Sequence, residues 1–462
     1  MKKSKNWRNF YKGWDIAMSE NVKLPDGWKK VKLEEIAENT KFSIVDGPFG
    51  TQLHADEYVE DGEVPVIRVI NLSYEGKFIK NDLVFISKDK ANKLIRSRVI
   101  PGDIIIAKTG ATIGKCGIFP PVFSEGIIAS SCMKISLDKN KASNVFILYW
   151  LTSRYGQNVV INSALGTTRT TINITPFKNL ELLLPPLPEQ RKIAEILETI
   201  DNAIEKTDAI IEKYKRIKQG LMQDLLTKGV VSEGEGESER WRLRDENIDK
   251  FKDSLLGRIP EEWEVVRLGE IGKIITGSTP STENLEYYGD EYLFVSPEDI
   301  RENKYITDSQ KKLSELGFRI SRKIPSDSIC VVCIGSTIGK IAITKTICTT
   351  NQQINSIVPN SNIFNSEALF YFIVLYSQKP LKQEAGLQAV PIVNKNRFSR
   401  IQIPLPPLHE QQRIASILSQ IDEVIEKEQA YKEKLERIKK GLMEDLLTGK
   451  VRVNHLIEEE EK

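Results

Sequence analysis

Apolar residues recur at spacings of three and four through two long stretches of the chain. Ile193, Leu197, Ile200, Ile204, Ile211 and Tyr214 form one series; Ile414, Leu418, Ile421, Ile425, Leu435 and Leu442 form the other. This spacing lays an apolar stripe along a helix and is the seam pattern of a coiled coil. Thr207 puts a polar side chain into the first stripe, and Glu428 holds the same place in the second. Pro188 suits the first turn of a helix, and Gly229 and Gly449 suit its end. Two helices of about 40 residues are expected, each about 60 Å long at the α-helical rise.

The rest of the chain has a different rhythm. Short apolar runs such as VPVIRVINL, DIIIAKTG and CMKISL in the first half, and YLFVSPEDI, SICVVCIGS and NSIVP in the second, lie between Gly, Pro, Asn and Asp. Runs of that length and punctuation predict β-strands. Denser apolar stretches at 144–153 and 366–378 predict one helix in each half. The expected class is α+β, a mixed β-sheet or partial barrel with flanking helices.

The two halves are copies. LPPLPEQRKIAEILETIDNAIEK from Leu184 returns as LPPLHEQQRIASILSQIDEVIEK from Leu405, and KRIKQGLMQDLLTKGV returns as ERIKKGLMEDLLTGKV. LPDGWKKVKLEEI from Leu24 matches IPEEWEVVRLGEI from Ile259, and KTGATIGKCGI from Lys108 matches CIGSTIGKIAI from Cys333. So long a period excludes a solenoid and implies two globular domains, each followed by a long helix. The expected parts are an N-terminal segment, 1–23; domain one, 24–184; the first repeat helix, 185–230; an acidic linker and lead-in, 231–258; domain two, 259–405; the second repeat helix, 406–451; and an acidic tail, 452–462. If the ends of domain two lie close together, as domain termini often do, the helices run antiparallel and the molecule has a pseudo-twofold axis. Double-stranded DNA is a common target with that symmetry.

Composition narrows the function class. With 40% hydrophobic and 28% charged residues the chain reads as soluble and globular. It contains no apolar run long enough to span a bilayer, and the basic N-terminus lacks the apolar core of a signal peptide. Five cysteines without an export signal suit a reducing cytoplasm. Net charge is only +2. Glu233, Glu235, Glu237 and Glu239 crowd the linker, and Glu458 to Glu461 form the tail. Setting these aside leaves an excess of about ten basic residues on the rest, enough for a DNA-binding face.

Motifs that suggest catalysis do not complete themselves. Gly110, Gly114 and Lys115 resemble a phosphate-binding loop, but three residues rather than four separate the glycines and Cys116 follows the lysine. Cys330 and Cys333 have redox or zinc spacing, yet they lie in an apolar strand-like run with no second pair. His54, His409 and His455 are scattered. No metal set, cofactor fingerprint or catalytic constellation is present, so a non-catalytic chain is expected. Gly220 and Gly441 interrupt both helices at a cost of about 1 kcal/mol each relative to alanine. They imply close approach of another backbone, from the other helix or a third protein, or else a shared kink.

Taken together and in order, these motifs make the chain similar to the specificity (S) subunits of type I restriction–modification systems. The matching elements are the Pro-Pro-Leu-x-Glu-Gln openings at Pro185 and Pro406, the Ile-Lys-x-Gly-Leu-Met-x-Asp-Leu-Leu segments at Ile217 and Ile438, and the Trp28 and Trp263 motifs. Asp46-Gly-Pro-Phe-Gly50, Pro65 to Val69, and the Lys108 to Lys115 turn also fit. The resemblance covers nearly the whole chain. It implies two target recognition domains, each reading half of a split double-stranded site. It also implies two docked methyltransferase (M) subunits, which supply S-adenosylmethionine binding and adenine methylation, and restriction (R) subunits for cleavage. The start of domain two, Ile275 to Pro280, departs from the Asp46 motif, so the two domains are expected to read different sequences.

Base reading needs polar side chains on loops that reach a groove. Candidates in domain one are Thr51, Gln52, His54, Thr167, Thr168, Arg169, Thr170 and Asn173. Those in domain two are Ser278, Thr279, Ser281, Gln352, Gln353, Asn355, Gln388 and Asn394. Ile193, Leu197, Ile200, Ile204, Ile211, Gly220, Ile414, Leu418, Ile421, Ile425, Leu435 and Gly441 are the candidates for helix or subunit packing. A second reading also fits the repeats: a coiled-coil scaffold that bridges partners without reading DNA.

Overall fold

The structure is a computed structural model, and it describes residues 24–49, 52–164, 171–234, 240–301, 303–385 and 391–460. Two compact units divide the chain. One is Met1–Lys206 with Lys432–Lys462, and the other is Thr207–Tyr431. Each contains one α+β domain together with a stretch of each long helix.

In the first unit the domain is built on two four-stranded sheets. One is ordered Ile44–Asp46, Cys132–Ile135, Ile104–Ala107, Cys116–Ile118, with every pair antiparallel. The other is ordered Val84–Ile86, Val64–Ile67, Gly126–Ile128, Arg98–Val99, and its central pair is parallel. The second unit has the same design with five strands in each sheet. Gly272–Thr276, Ile354–Pro359, Ile329–Val332 and Ile341–Thr344 run antiparallel in one, and Tyr305–Ile306 joins its edge in parallel. None of these sheets closes into a barrel among the described residues. In both units the central strands are buried on both faces, which is why they read as unbroken apolar runs rather than alternating ones.

The two apolar stretches are the helices Asn144–Thr152 and Ser366–Tyr376. Ser143 and Asn365 cap them by accepting from backbone N–H groups in the first turn. A short antiparallel ladder, Lys29–Lys32 with Glu181–Leu184 in one unit and Glu264–Arg267 with Gln402–Leu405 in the other, closes each domain at its base. The chain then enters a long helix.

The long helices are Leu187–Thr227 and Leu408–Leu447. Gly229 and Gly449 end them in the left-handed region, at φ +67° and +71°. Neither position has room for a side chain: a Cβ on Gly229 would lie 2.1 Å from Glu410 Oε1, and one on Gly449 2.7 Å from Pro25 Cγ. Within each unit the helix stretches run antiparallel. In the first, Ile193, Ala194 and Leu197 share a buried core with Leu446, Leu447 and Trp28. In the second, Ile414, Ala415 and Leu418 share one with Leu225, Leu226 and Trp263.

The stripe residues are not buried equally. Ile193, Leu197, Ile211, Ile414, Leu418 and Leu435 are buried, whereas Ile200, Ile204, Ile421 and Ile425 are half-buried. Thr207, which reads as a polar break, is 3% exposed.

Candidate nucleic-acid interface

The repeated Pro-Pro-Leu-x-Glu-Gln motif joins each helix to its domain. Glu189 is buried, accepts a hydrogen bond from Trp28 Nε1 at 3.0 Å and pairs with Arg452 at 2.7 and 2.9 Å. Gln190 accepts from Ser143 N at 2.9 Å and donates to the carbonyls of Lys141 and Pro185. It therefore fixes the cap of the Asn144–Thr152 helix. In the second unit Glu410 accepts from Trp263 Nε1 at 3.0 Å and from Val230 N at 2.7 Å, and pairs with Arg244. Gln411 accepts from Asn365 N at 2.8 Å and donates to the carbonyls of Ile363 and Pro406. The Trp and Glu motifs, recognised separately in sequence, are halves of one joint.

With the base so anchored, several loops of each domain meet. In domain two Gly277 N donates to Ile354 O, and Ser278 N to Thr350 O. Thr279 Oγ1 donates to Gln352 Oε1. Cys333 N donates to Gln353 O, Val393 N to Cys333 O and Gly335 N to Pro391 O. Residues around 277–281, 333–339, 351–355 and 391–394 thus form one continuous surface. Domain one repeats it: Gly47 N donates to Cys132 O, Lys108 N to Ser131 O, and Ile172 N to Lys108 O. There the cluster comprises residues around 46–49, 52–54, 108–115, 129–132 and 171–173.

Most described candidates lie on these clusters. Gln52, His54, Asn173, Thr279, Ser281, Gln352 and Asn394 are exposed, and Ser278 and Gln353 are half-buried. Several already have local duties. Gln52 Oε1 accepts from Phe49 N, Ser278 Oγ from Arg322 N, and Asn394 Oδ1 caps the Lys395–Ser399 helix. Asn355 is different. It is 3% exposed on the strand Ile354–Pro359, where its amide accepts from Thr276 Oγ1 at 2.6 Å and donates to Val393 O at 3.4 Å. That places it under the surface rather than on it. Thr51, Thr167, Thr168, Arg169, Thr170 and Gln388 lie outside the described residues.

The surface also contains groups that the choice of polar loops missed. Asp46 is bound by Lys108 at 3.0 Å and by Arg96 at 2.6 Å. Burial pushes its carboxyl upward, but these two cations together hold it below its ordinary value. Among the described residues domain two has no such cluster at the matching place, where Thr276 meets Asn355. Ser130 and Ser131 occupy the position of Gln352 and Gln353, and Arg322 Nη1 reaches Thr276 O at 3.0 Å. The Asp46 and Lys108 motifs were visible in sequence, but nothing local signals a contact between residues 62 apart.

Cys330 and Cys333 are buried on and beside the strand Ile329–Val332, where burial pushes both thiols up to about 11. They stay protonated at neutral pH and pack as small apolar groups. Gly220 and Gly441 are exposed, and a Cβ at either would meet nothing within 4 Å. Close approach to the other helix is therefore not what these glycines serve.

Residues 25–215 and 260–437 both match the family model described as the type I restriction modification DNA specificity domain. The MjaVIII type I restriction enzyme specificity subunit of Methanocaldococcus jannaschii is 27% identical over 97% of this chain and 98% of its own length. The HindI specificity subunit of Haemophilus influenzae is 26% identical over 66% of this chain and 77% of its own. Among solved structures, a type I restriction–modification S subunit from M. genitalium superposes with a TM-score of 0.57 at 16% identity, covering 93% of this chain and 98% of that one. A chain from a study of type I R-M complex assembly and conformational transition gives 0.53 at 19%, covering 93% and 100%. Matched in both halves and along nearly its full length by such relatives, the chain belongs to the type I restriction–modification specificity family and is a DNA sequence-specificity subunit.

Proposed function

We propose that this chain is the non-catalytic DNA reader of a cytoplasmic restriction–modification complex. Domain one, residues 24–184, and domain two, residues 259–405, each read one block of a bipartite double-stranded target. The observation that supports this most is the pair of loop clusters: the same backbone construction occurs in both domains, with different side chains. Candidate readers are Gln52, His54 and Asn173 in one, and Thr279, Ser281, Gln352 and Asn394 in the other. The chemistry is assigned to partners, two methyltransferase subunits and the restriction subunits.

Purified alone, the chain is therefore expected to methylate no adenine, hydrolyse no ATP and cut no DNA. Bound to its methyltransferase subunits, it should bind one split duplex with a steep dependence on salt. Robust turnover by the isolated chain would contradict this reading. Salt-insensitive binding with no sequence preference would favour a bridging scaffold instead.

The methyltransferase subunits have a repeated surface to dock on. Ile210, Ile217 and Gly220 follow one another at spacings of seven and three on the first long helix, and Tyr431, Ile438 and Gly441 do so on the second. The four large side chains are 38% to 50% exposed. A glycine beside them admits a partner's backbone. Gly220→Leu should then act in opposite directions on two readouts. With open space around it, leucine should leave thermal stability equal or raise it by up to about 1 kcal/mol through helix propensity. Affinity for the methyltransferase subunit should fall about tenfold or more. Unchanged assembly by both Gly220→Leu and Gly441→Leu would place the docking surface elsewhere.

A further inference from the structure

Each unit contains a three-residue junction that the shared core does not require. In the first, Tyr149 on the Asn144–Thr152 helix donates its hydroxyl to Asp201 Oδ2 at 2.7 Å. Lys439 pairs with Asp201 Oδ1 at 2.6 Å and lies over the Tyr149 ring, 5.5 Å from its centroid. In the second, Tyr371 donates to Asp422 Oδ2 at 2.6 Å, while Lys218 pairs with Asp422 Oδ1 at 2.5 Å and lies 5.7 Å from the Tyr371 ring. One residue comes from the domain and one from each long helix. The roles of the two helices are exchanged between the units. The lysines belong to the Ile-Lys-x-Gly segments at Ile217 and Ile438.

These groups are mostly withdrawn from water. The Lys218 and Asp422 side chains are 25% and 13% exposed, and those of Lys439 and Asp201 are 18% and 24%. Apolar residues of similar volume would pack the same junction without the desolvation cost of an ion pair. What a charged, hydrogen-bonded triad adds is direction, because its bonds weaken steeply when the donors tilt. The Trp–Glu and Gln joints fasten each domain at its base alone; a second attachment one or more turns along, made to both helices at once, holds the domain at an angle. Angle matters for a split target. Each added base pair moves the second block by about 3.4 Å and turns it by about 35°.

We propose that Lys218, Asp422 and Tyr371, with their counterparts Lys439, Asp201 and Tyr149, are positioning residues that hold each recognition domain at a fixed angle on the helix pair and so set the spacer length that the chain accepts. This rests on the bipartite reading above. The two junctions are unequal. Around Tyr371 a second layer is present: Lys304 Nζ lies 3.1 Å from the Tyr371 hydroxyl, 2.7 Å from Ser419 Oγ and 3.2 Å from Glu367 Oε2. In the first unit the corresponding lysine, Lys77, instead makes an exposed pair with Glu205. Loosening the Tyr149 junction therefore frees its domain more than loosening the Tyr371 junction does.

The test uses the full chain with its methyltransferase subunits, and duplexes carrying the mapped target with the native spacer or one or two base pairs more or less. The wild type should lose on the order of tenfold or more in affinity for each wrong spacer, since DNA must be twisted to fit. Lys439→Met should bring native and single-step spacers within about threefold of one another. Lys218→Met should do so less completely. Single-base changes inside either block should cost the variants what they cost the wild type. Tyr149→Phe and Tyr371→Phe each remove one oxygen and keep the packed ring, so they answer the question if a lysine variant fails to fold. A merely structural role would weaken binding to every duplex alike. Unchanged spacer discrimination in all four variants, with both blocks still read, overturns the assignment. A wild type that reads neither block overturns the bipartite reading and this assignment with it.

Discussion

Glu410→Ala should destabilise the second unit by about 3–5 kcal/mol, the cost of removing one member of a buried ion pair. The Glu410 side chain is 1% exposed and that of Arg244 is 5%. Removing the carboxylate leaves the Trp263 indole N–H and the Val230 backbone N–H without their acceptor, and leaves the Arg244 guanidinium only the exposed carboxylate of Glu262 and the Lys228 carbonyl. The equivalent change in the other copy should be milder. Glu189 is as buried as Glu410, but its partner Arg452 is 26% exposed and can rehydrate. Glu189→Ala then leaves only the Trp28 N–H unsatisfied, worth about 1–3 kcal/mol. Thermal or denaturant unfolding of the two variants should rank Glu410→Ala well below Glu189→Ala. Equal losses, or a loss under about 1 kcal/mol at Glu410, would show that the joint is not held by this carboxylate.

Exchanging residues 24–184 for the first domain of another family member should replace one block of the target and leave the other intact. All the domain-one loops that converge around Lys108 lie inside that segment, and none of the domain-two loops does. A wrong base pair costs about 1–3 kcal/mol, so a block with three mismatches should lose on the order of a thousandfold in affinity or more. The exchanged domain must bring its own tryptophan at position 28 and tyrosine at position 149, because Glu189 and Asp201 remain behind to bind them. Binding or methylation on a panel of duplexes with each block varied separately measures the effect. A change in both blocks, or in neither, would mean that the domains do not read independently.

Much of the architecture could be read from the chain because its signals are local. Seam spacing marked Leu187–Thr227 and Leu408–Leu447, and the apolar runs at Ile104 and Ile329 marked strands buried on both faces. Several details could not be read, because their causes are distant in sequence. Glu189 meets Arg452 across 263 positions, and Asp201 meets Lys439 across 238. Thr207 looked like a break in the stripe, yet the fold buries it with the stripe's apolar residues. Asn355 looked like a loop residue because it closes the polar stretch Asn351 to Asn355. The strand has already begun at Ile354, and Thr276 and Val393 take up its amide. The Asp46 cluster was missed for the same reason. A carboxylate within a glycine turn announces nothing until two cations from other segments arrive beside it.

Mapping methylated adenines across the genome of cells carrying this chain with its methyltransferase tests the central claim most directly. The expected result is one motif of two short, different blocks around an unread spacer. Their centres should lie about one helical turn apart, about 10 to 10.5 base pairs, so that both domains meet the same side of the duplex. Helices of about 60 Å set an upper bound of about 17 base pairs. A continuous palindromic motif, or adenine methylation with no split motif, would contradict two different readers carried on one pair of helices.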